Sequence, residues 1–206
     1  MQLIGMLDSP FVRRTAISLH MLGIPFEHRS LSVFRDYEAF RLINPLVKAP
    51  TLICDDGAQL IESSLIIDYA ESTAGPDQRL LPADAQQRRS ALRLIGLALL
   101  AAEKSVQIVY EHKRPDDYRY QPWLQRVGEQ LQSACAALEQ EIGGSRTAWL
   151  LGEHPGQADI TVAVAWGFIQ LVLPDMMAAT DYPALANFSA RAEQLPAFQA
   201  WPLPRE

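Results

Sequence analysis

The sequence predicts a small α/β domain followed by an all-helical bundle. Up to residue 73, apolar runs of strand length alternate with segments of helical periodicity. From Asp84 onward, one helical pattern follows another and no convincing strand pattern appears. The stretch 73–82 is rich in Gly, Pro and polar residues, which is typical of a break between domains. We therefore expect a first domain at 1–75, a linker at 76–84 and a helical domain at 85–206.

The first domain is predicted to follow the order βαβ, a connecting helix, then ββα. Its strands are expected at 2–7, 25–31, 51–54 and 58–61, and its helices at 10–22, 36–43 and from 62 onward. Ser9 and Pro10 indicate the start of the first helix, because Ser is a favoured N-cap and Pro fits the first helical position. The second helix must end at Asn44, because the residue before a proline is pushed out of the α region.

The second domain is predicted to consist of helices alone. They are expected at 84–112, 121–142, 157–173 and 182–194, followed by an irregular, Pro-rich tail at 196–206. The segment 157–173 is apolar nearly all round, and in a soluble chain such a helix lies at the centre of a bundle. We therefore place Trp166, Phe168 and Ile169 in the core.

Composition, charge and cysteine spacing favour some classes of protein over others. The formal net charge of −6 disfavours nucleic-acid binding, because nucleic-acid binders usually carry a basic face. Cys54 and Cys135 lie far apart without metal-ligand spacing, which argues against a disulfide framework and for a reducing compartment. The apolar run 2–7 is too short for a signal peptide, and 160–173 is too short to span a membrane. We expect a soluble, cytoplasmic protein that uses no metal.

The chain is organised around the segment Lys48-Ala49-Pro50-Thr51. In strand patterns proline is confined to edges, first residues and bulges, and Pro50 stands at the first residue of a strand. An X-Pro bond is also the bond type in which the cis form costs little. The backbone groups of Lys48 and Ala49 would be available to a peptide-like ligand. Taken alone, such a proline more often only starts a strand.

Four segments resemble motifs of the cytosolic glutathione S-transferases. The segments similar to the glutathione-binding motifs are SPFVR at 9–13, NPLVKAP at 44–50 and ESS at 62–64. A fourth, GEHPGQADI at 152–160, is similar to the folding signature that precedes the buried helix of that family. Each motif alone is weak, but their order and spacing match along essentially the whole chain. The resemblance implies a bacterial, serine-type transferase: a homodimer with a thioredoxin-like N-terminal domain, an all-helical C-terminal domain and glutathione as co-substrate.

The resemblance also implies a role for several residues. Ser9 occupies the catalytic position, where a hydroxyl and the positive end of a helix stabilise the glutathione thiolate. Glu62 would bind the ammonium of the γ-glutamyl end, and Ser63, with the amides of the helix start, its carboxylate. Ala49, next to Pro50, would pair with the cysteinyl unit through its backbone.

Two further residues are weaker members of the same predicted site. Lys48 is a candidate partner of the glycyl carboxylate, although an exposed Lys is usually only solvated. Phe11 is expected beside the site, although an aromatic residue in a first helical turn is more often part of the core. Simple helix capping would likewise account for Ser9, Glu62 and Ser63 without any ligand.

Two positions depart from the family pattern. Ala49 replaces the usual valine before the proline, which leaves a backbone contact intact. Gly156 replaces the Ser or Thr of the capping box, so only Asp159 can supply a side chain there. One branch of the family, like the glutaredoxins, has a cysteine where this chain has Ser9. A serine cannot form a mixed disulfide, which favours conjugation over thiol-disulfide exchange through the protein.

The acceptor pocket carries no motif, but the resemblance places it along the first long helix of the second domain. Tyr110 and Arg114, with His112 and Lys113, are candidates near the end of that helix. A polar helix terminus, where cations are favourable, explains the same residues equally well. Arg13 and Arg14 are expected to be partly structural, with the subunit interface as one candidate location.

Several functions remain compatible with this sequence. The leading hypothesis is a transferase in which bound glutathione attacks a small electrophile. Dehalogenation, glutathione-dependent isomerisation and peroxide reduction would use the same first contacts, and a glutathione-dependent disulfide reductase is a further alternative. A different class is the non-catalytic, transferase-like interaction protein of the stringent-starvation type, which binds RNA polymerase. Ser9, Pro50, Glu62 and Ser63 favour the enzyme.

Overall fold

The computed structural model describes residues 1–145 and 147–204. Its strands are β1 (Gln2–Ile4), β2 (Glu27–Arg29), β3 (Thr51–Ile53) and β4 (Gln59–Ile61). Its α-helices are α1 (Pro10–Met21), α2 (Tyr37–Ile43), α3 (Ser63–Thr73), α4 (Ala85–His112), α5 (Gln121–Gly144), α6 (Gln157–Val172), α7 (Pro183–Ala192) and α8 (Pro196–Ala200). The first domain thus has the predicted order of elements, with strands somewhat shorter than the apolar runs that encode them.

The chain divides into two compact units. The first comprises Met1–Leu81 and the segment from Leu195 onward, and the second is Pro82–Gln194. The division after α3 falls within the predicted linker at 76–84. The C-terminal segment, which the domain prediction assigns to the helical part, groups with the first unit instead.

The tail is also more regular than its sequence predicts. Pro196 opens the short helix α8, and Phe198 on that helix is buried. Beyond it, the ring of Trp201 stacks on Phe26 with a centroid distance of 4.9 Å, and Arg13 Nε donates a hydrogen bond to the Trp201 carbonyl at 2.9 Å. The prediction of an irregular tail was wrong because five residues are too few to show a helical period. The last two residues of the predicted tail lie outside the described range.

The sheet of the first unit has the strand order β2-β1-β3-β4. β1 runs parallel to β2 and antiparallel to β3, and β4 forms a hairpin with β3. Ile4 pairs with Thr51, and Thr51 pairs with Ile61. One edge of the sheet therefore carries the end of β1, the start of β3 and the end of β4. This mixed sheet with its helices confirms the predicted thioredoxin-like domain.

The second unit is a bundle in which α4 packs against α5 and α6, and α7 packs against α5 and α6. The side chains of Trp166, Phe168 and Ile169 on α6 are buried, as predicted. At the start of α6, the Asp159 carboxylate accepts hydrogen bonds from the amides of Gly156 at 2.8 Å and Leu150 at 2.9 Å. This is the half of a capping box that remains when the first position has no side chain.

The lengths and hydropathies of the described helices bear on membrane insertion. Within residues 1–145 and 147–204, none is long and apolar enough to cross a membrane. Both cysteines are buried and free of disulfides.

Candidate active site

The predicted ligand segments converge at one edge of the sheet. Segment 9–13 follows β1, segment 44–50 leads into β3, and segment 62–64 follows β4. Because the ends of these strands pair with one another through Ile4, Thr51 and Ile61, the three segments leave the sheet side by side. The N-termini of α1 and α3 lie at this edge as well. Both helices therefore present the positive ends of their dipoles to the same region.

Gly5 allows two of these segments to approach each other closely. Its φ of 137° lies in a region that other residues rarely adopt. A Cβ at this position would lie only 2.6 Å from Val12 Cγ2 and 3.0 Å from Ala49 Cβ. The first turn of α1 and the residue before Pro50 therefore meet over Gly5. His28 Nε2 also donates a hydrogen bond to the Gly5 carbonyl at 2.8 Å.

Ser9 lies at the N-cap of α1 with an extended backbone, φ −72° and ψ 122°. Its Oγ accepts a long hydrogen bond, 3.4 Å, from the Val12 amide. The hydroxyl proton is not needed for that bond, and within the described part of the chain no residue accepts it. Ser9 is also only partly buried. Ser9 is therefore the N-cap of α1, and its hydroxyl can still donate a hydrogen bond to a ligand.

The loop before β3 is held by two buried side chains. Asn44 Nδ2 donates to Thr51 Oγ1 at 2.9 Å, and Thr51 Oγ1 donates to the Lys48 carbonyl at 2.7 Å. Val47 has a φ of 47°, which is strained for a β-branched residue. Strained backbone of this kind concentrates at binding and catalytic sites. The braced loop presents Ala49 and Pro50 in a fixed position.

Ala49 and Pro50 are joined by a cis peptide bond. Neither the amide nor the carbonyl of Ala49 has a hydrogen-bond partner among residues 1–145 and 147–204. These two groups can therefore pair with the backbone of a bound peptide, which is the role predicted for Ala49. Pro50 is buried and Lys48 is exposed.

Glu62 combines a strained backbone with a capping side chain. Its φ is 71°, and its Oε2 accepts hydrogen bonds from the amides of Ser64 at 3.1 Å and Leu65 at 3.3 Å. Glu62 is therefore the N-cap of α3, as the simple interpretation requires. The side chain is nevertheless exposed, and a carboxylate has more lone pairs than these two bonds use. It remains able to accept a hydrogen bond from an ammonium group.

Ser63 is buried, and its hydroxyl is engaged by protein groups. Ser63 Oγ accepts from Arg14 Nη1 at 2.8 Å and donates to Glu62 Oε1 at 3.3 Å. Its backbone amide, at the first position of α3, has no acceptor within the described chain. The predicted contact of Ser63 with a ligand carboxylate is therefore better served by its amide than by its hydroxyl.

Arg14 is a residue of this site whose role the sequence did not predict. Its side chain is buried on α1, and Nη1 also donates to Ser64 Oγ at 3.2 Å. Burial lowers the pKa of its guanidinium to about 10, and the charge of Glu62 partly offsets this effect. The group therefore stays protonated at neutral pH. An arginine in the sequence carries no sign of a partner about fifty residues away.

Phe11, Tyr110 and Arg114 are three predicted site residues to which the geometry assigns no contact with a ligand. Phe11 is half-buried in the first turn of α1. Tyr110 and Arg114 lie near the end of α4 in the second unit, where Arg114 pairs with Glu111 at 3.3 Å. The Glu111 carboxylate also accepts from the Tyr120 amide at 2.9 Å, which lowers its pKa. Arg114 thus contributes to bracing the end of α4. The acceptor roles of Tyr110 and Arg114 stay predictions, as does the place of Phe11 beside the glutathione site.

The fold and the site together are typical of one class of protein. A thioredoxin-like unit presents two helix N-termini and unpaired backbone groups beside a strand-entry proline, and a helical unit follows it. Within the described residues, no group of three His, Cys, Asp or Glu side chains is arranged to hold a metal ion.

Comparison with protein-family models identifies that class. Residues 3–78 match the model of the glutathione S-transferase N-terminal domain, and residues 121–191 match that of the glutathione S-transferase C-terminal domain. The two matches together span well over half of the chain. The protein belongs to the glutathione S-transferase family.

Individual relatives agree with this assignment. A glutathione S-transferase from Methylobacterium radiotolerans, solved with glutathione sulfonate, is 28% identical with a TM-score of 0.90, covering 100% of this chain and 96% of its own. A glutathione transferase family member from Pseudomonas fluorescens Pf-5, solved with bound glutathione, is 30% identical with a TM-score of 0.84, covering 99% of both chains. The maleylacetoacetate isomerase of Pseudomonas aeruginosa is 29% identical over 156 residues, 71% of each chain.

Proposed function

We propose that the protein is a glutathione transferase with a serine-type active site. It binds reduced glutathione at the sheet edge formed by segments 9–13, 44–50 and 62–64, and it stabilises the thiolate for attack on a small electrophile. The observation that carries this proposal is the convergence of the free hydroxyl proton of Ser9, the unpaired backbone of Ala49 and the amide of Ser63. Two similar structures that hold glutathione or its sulfonate support it.

Each part of glutathione has a matching group at the site. The ammonium of the γ-glutamyl unit pairs with the exposed Glu62 carboxylate, and its α-carboxylate accepts from the Ser63 amide at the start of α3. The cysteinyl backbone pairs with the amide and carbonyl of Ala49 beside Pro50. Lys48 is exposed and can reach the glycyl carboxylate. Phe11 packs beside the bound tripeptide.

The Ser9 hydroxyl and the N-terminus of α1 act on the sulfur. A free thiol has a pKa of about 8.5 and is mostly protonated at neutral pH. A donated hydrogen bond and the positive helix end stabilise the anion, which lowers that pKa. The thiolate then forms a C–S bond with the electrophile, whose leaving group departs with the displaced electron pair. We place the acceptor pocket in the helical domain at 85–206, with Tyr110 and Arg114 as candidate contacts.

Replacing Ser9 with alanine tests the catalytic assignment. We expect glutathione to bind with nearly unchanged affinity, the pKa of its bound thiol to rise by about one unit, and turnover to fall about tenfold, since one hydrogen bond to a charged group is lost. Ultraviolet titration of the bound thiolate and steady-state kinetics with an aryl halide measure the two effects.

Ser9→Thr is the matched control, because threonine keeps both the N-cap and the hydroxyl. Its thiol pKa should stay close to that of the unchanged protein. If Ser9→Ala left both the thiol pKa and the turnover unchanged, the catalytic group would have to be another residue.

Calorimetric titration with reduced glutathione tests the proposal as a whole. Saturable binding in the micromolar to millimolar range, which is typical for enzyme substrates, is the expected result. A folded protein that binds no glutathione would instead favour the non-catalytic interaction protein. We also propose that the protein is a homodimer, as the resemblance implies, and sedimentation of the same sample tests this.

A glutathione-dependent isomerase is the second candidate, favoured by the similarity to the maleylacetoacetate isomerase. In such a reaction the thiolate adds to a double bond and is later expelled, so glutathione is not consumed. Conjugation consumes one glutathione for each product. Measuring free thiol during turnover of a maleyl substrate and of an aryl halide distinguishes the two activities.

A further inference from the structure

The C-terminal tail packs against the helix that begins at Ser9. Arg13 lies one helical turn after Ser9 on α1, and its Nε donates to the Trp201 carbonyl at 2.9 Å. The Arg13 guanidinium also lies 5.5 Å from the centre of the Phe198 ring. Both tail residues group with the first unit of the chain. The tail therefore holds the first turns of the helix whose N-cap is the proposed catalytic residue.

The Trp201 ring makes a second connection, to the segment of strand β2. It stacks on Phe26 with a centroid distance of 4.9 Å, and it meets the His28 ring edge-on at a centroid distance of 5.8 Å. Phe26 and His28 are two residues apart, so they share one face of an extended segment. The indole contacts both side chains on that face and thereby limits the positions that the imidazole can adopt.

His28 in turn fixes the peptide that leads from β1 toward Ser9. Its Nε2 donates to the Gly5 carbonyl at 2.8 Å, and no other group in residues 1–145 and 147–204 donates to that oxygen. Glycine has more accessible backbone conformations than other residues, so this hydrogen bond selects one orientation of the peptide. The Ser9 amide then donates to the Met6 carbonyl at 3.2 Å, which closes the turn between Gly5 and Ser9.

We propose that His28 and Trp201 are positioning residues for the Ser9 hydroxyl, through which the C-terminal tail promotes thiolate formation at the glutathione site. This inference rests on the proposed function and adds to it two residues that act without touching the ligand. Trp201 orients His28, His28 orients the Gly5 peptide, and that peptide sets where the N-cap of α1 lies.

The indole nitrogen of Trp201 supports a role beyond packing. Nε1 is buried and has no hydrogen-bond partner within the part of the chain that the structure describes. An unpaired buried donor costs stability, and a purely apolar ring would avoid that cost. A ring that must contact Phe26 and His28 together explains why an indole occupies this position.

Other contacts of the glutathione site have supports of their own. The loop that presents Ala49 is braced by the Asn44 and Thr51 side chains, and Glu62 is fixed by the amides of α3. Loosening the tail should therefore act mainly at the sulfur end of the ligand. A loss of Ser9 positioning changes the thiol pKa while glutathione affinity is kept, whereas general damage to the site changes both.

His28→Leu and Trp201→Leu test this inference on the full-length protein. Each change removes one link between the tail and Gly5 and keeps an apolar side chain. We expect the thiol pKa of bound glutathione to rise by about half a unit and turnover with an aryl halide to fall about threefold. The dissociation constant of glutathione, measured by calorimetry, should change by less than about twofold. His28→Gln keeps a donor near the position of Nε2 and should restore most of both losses.

A double-mutant cycle with Ser9→Ala shows whether His28 acts through Ser9. If it does, adding His28→Leu to Ser9→Ala raises the thiol pKa no further, because the hydroxyl that His28 positions is absent. Leu22→Val is the matched control for lost stability, since Leu22 is buried at the opposite end of α1. We expect this control to lower the melting temperature and to leave the thiol pKa unchanged.

Two outcomes would overturn the inference while the proposed function stands. One is an unchanged thiol pKa in His28→Leu, which decides the question even where Trp201→Leu does not fold. The other is a rise of that pKa by His28→Leu that is equal in the unchanged protein and in Ser9→Ala, since the effect would then bypass Ser9. An unchanged protein that binds no glutathione would instead overturn the proposed function, and this inference with it.

Discussion

Glu62→Ala is expected to weaken glutathione binding by at least about a hundredfold, since it removes a charged hydrogen bond to the ligand ammonium and the order of the segment that contacts the ligand carboxylate. The same change removes two hydrogen bonds that cap α3, from the amides of Ser64 and Leu65. Loss of a cap costs about 1 kcal/mol of stability. Calorimetry at a temperature well below unfolding separates the two effects.

Glu62→Gln refines this test. Glutamine keeps an oxygen that can accept from the α3 amides, so the cap should survive while the negative charge is lost. We expect affinity close to that of Glu62→Ala together with stability close to that of the unchanged protein. Asp68→Ala is the matched control, because Asp68 is an exposed carboxylate on the same helix. Undiminished glutathione binding by Glu62→Gln would refute the assignment of the ammonium partner.

The parts of the site that the sequence predicted are those encoded locally. Ser9 before Pro10 and Glu62 before Ser63 both mark helix starts, and Pro50 immediately precedes the first residue of β3. Such signals depend on a few neighbouring residues, so they are visible without any tertiary information. The order of strands then brings them together, because the ends of β1 and β4 both pair with the start of β3.

The parts that were missed depend on contacts between distant segments. Arg14 reaches Ser63, 49 positions away, and nothing near Arg14 in the sequence indicates that partner. Gly5 is required by the approach of Val12 and Ala49, which only the folded chain creates. The left-handed backbone of Val47 could not be foreseen either, because a β-branched residue is a poor candidate for positive φ.

The structure shows that helix capping and ligand binding are compatible at Ser9 and at Glu62. From the sequence alone, helix capping and ligand binding are alternative interpretations of Ser9 and Glu62. In the structure both residues cap helices, and both retain hydrogen-bonding capacity toward solvent. The two roles share a cause, because a helix N-terminus that orients a capping side chain also presents unpaired amides to an anion.

Asp159→Ala is expected to destabilise the helical unit by roughly 3 kcal/mol, because the amides of Gly156 and Leu150 both lose their acceptor in a partly buried setting. Since Gly156 has no side chain, Asp159 alone supplies the capping contacts at the start of α6. This helix occupies the centre of the bundle, so its fraying exposes apolar surface. Chemical denaturation followed by circular dichroism measures this loss of stability. We expect a lower denaturant concentration at the midpoint of unfolding and an unchanged dependence of the free energy of unfolding on denaturant concentration.

Asp159→Asn and pH provide the sharper form of this test. Asparagine has one acceptor oxygen where aspartate uses two, so an intermediate loss of about 1–2 kcal/mol is expected. Burial raises the pKa of the Asp159 carboxyl above its ordinary value. At pH values between the ordinary pKa and the raised pKa, the folded state therefore binds more protons than the unfolded state. The free energy of unfolding of the protein with Asp159 should therefore approach that of Asp159→Asn as the pH rises between these two pKa values.

Asp175→Ala is the control variant. Asp175 lies at an exposed turn after α6, so this change should alter the free energy of unfolding by less than about 0.5 kcal/mol. An Asp159→Ala midpoint equal to that of Asp175→Ala would show that the start of α6 does not depend on this carboxylate.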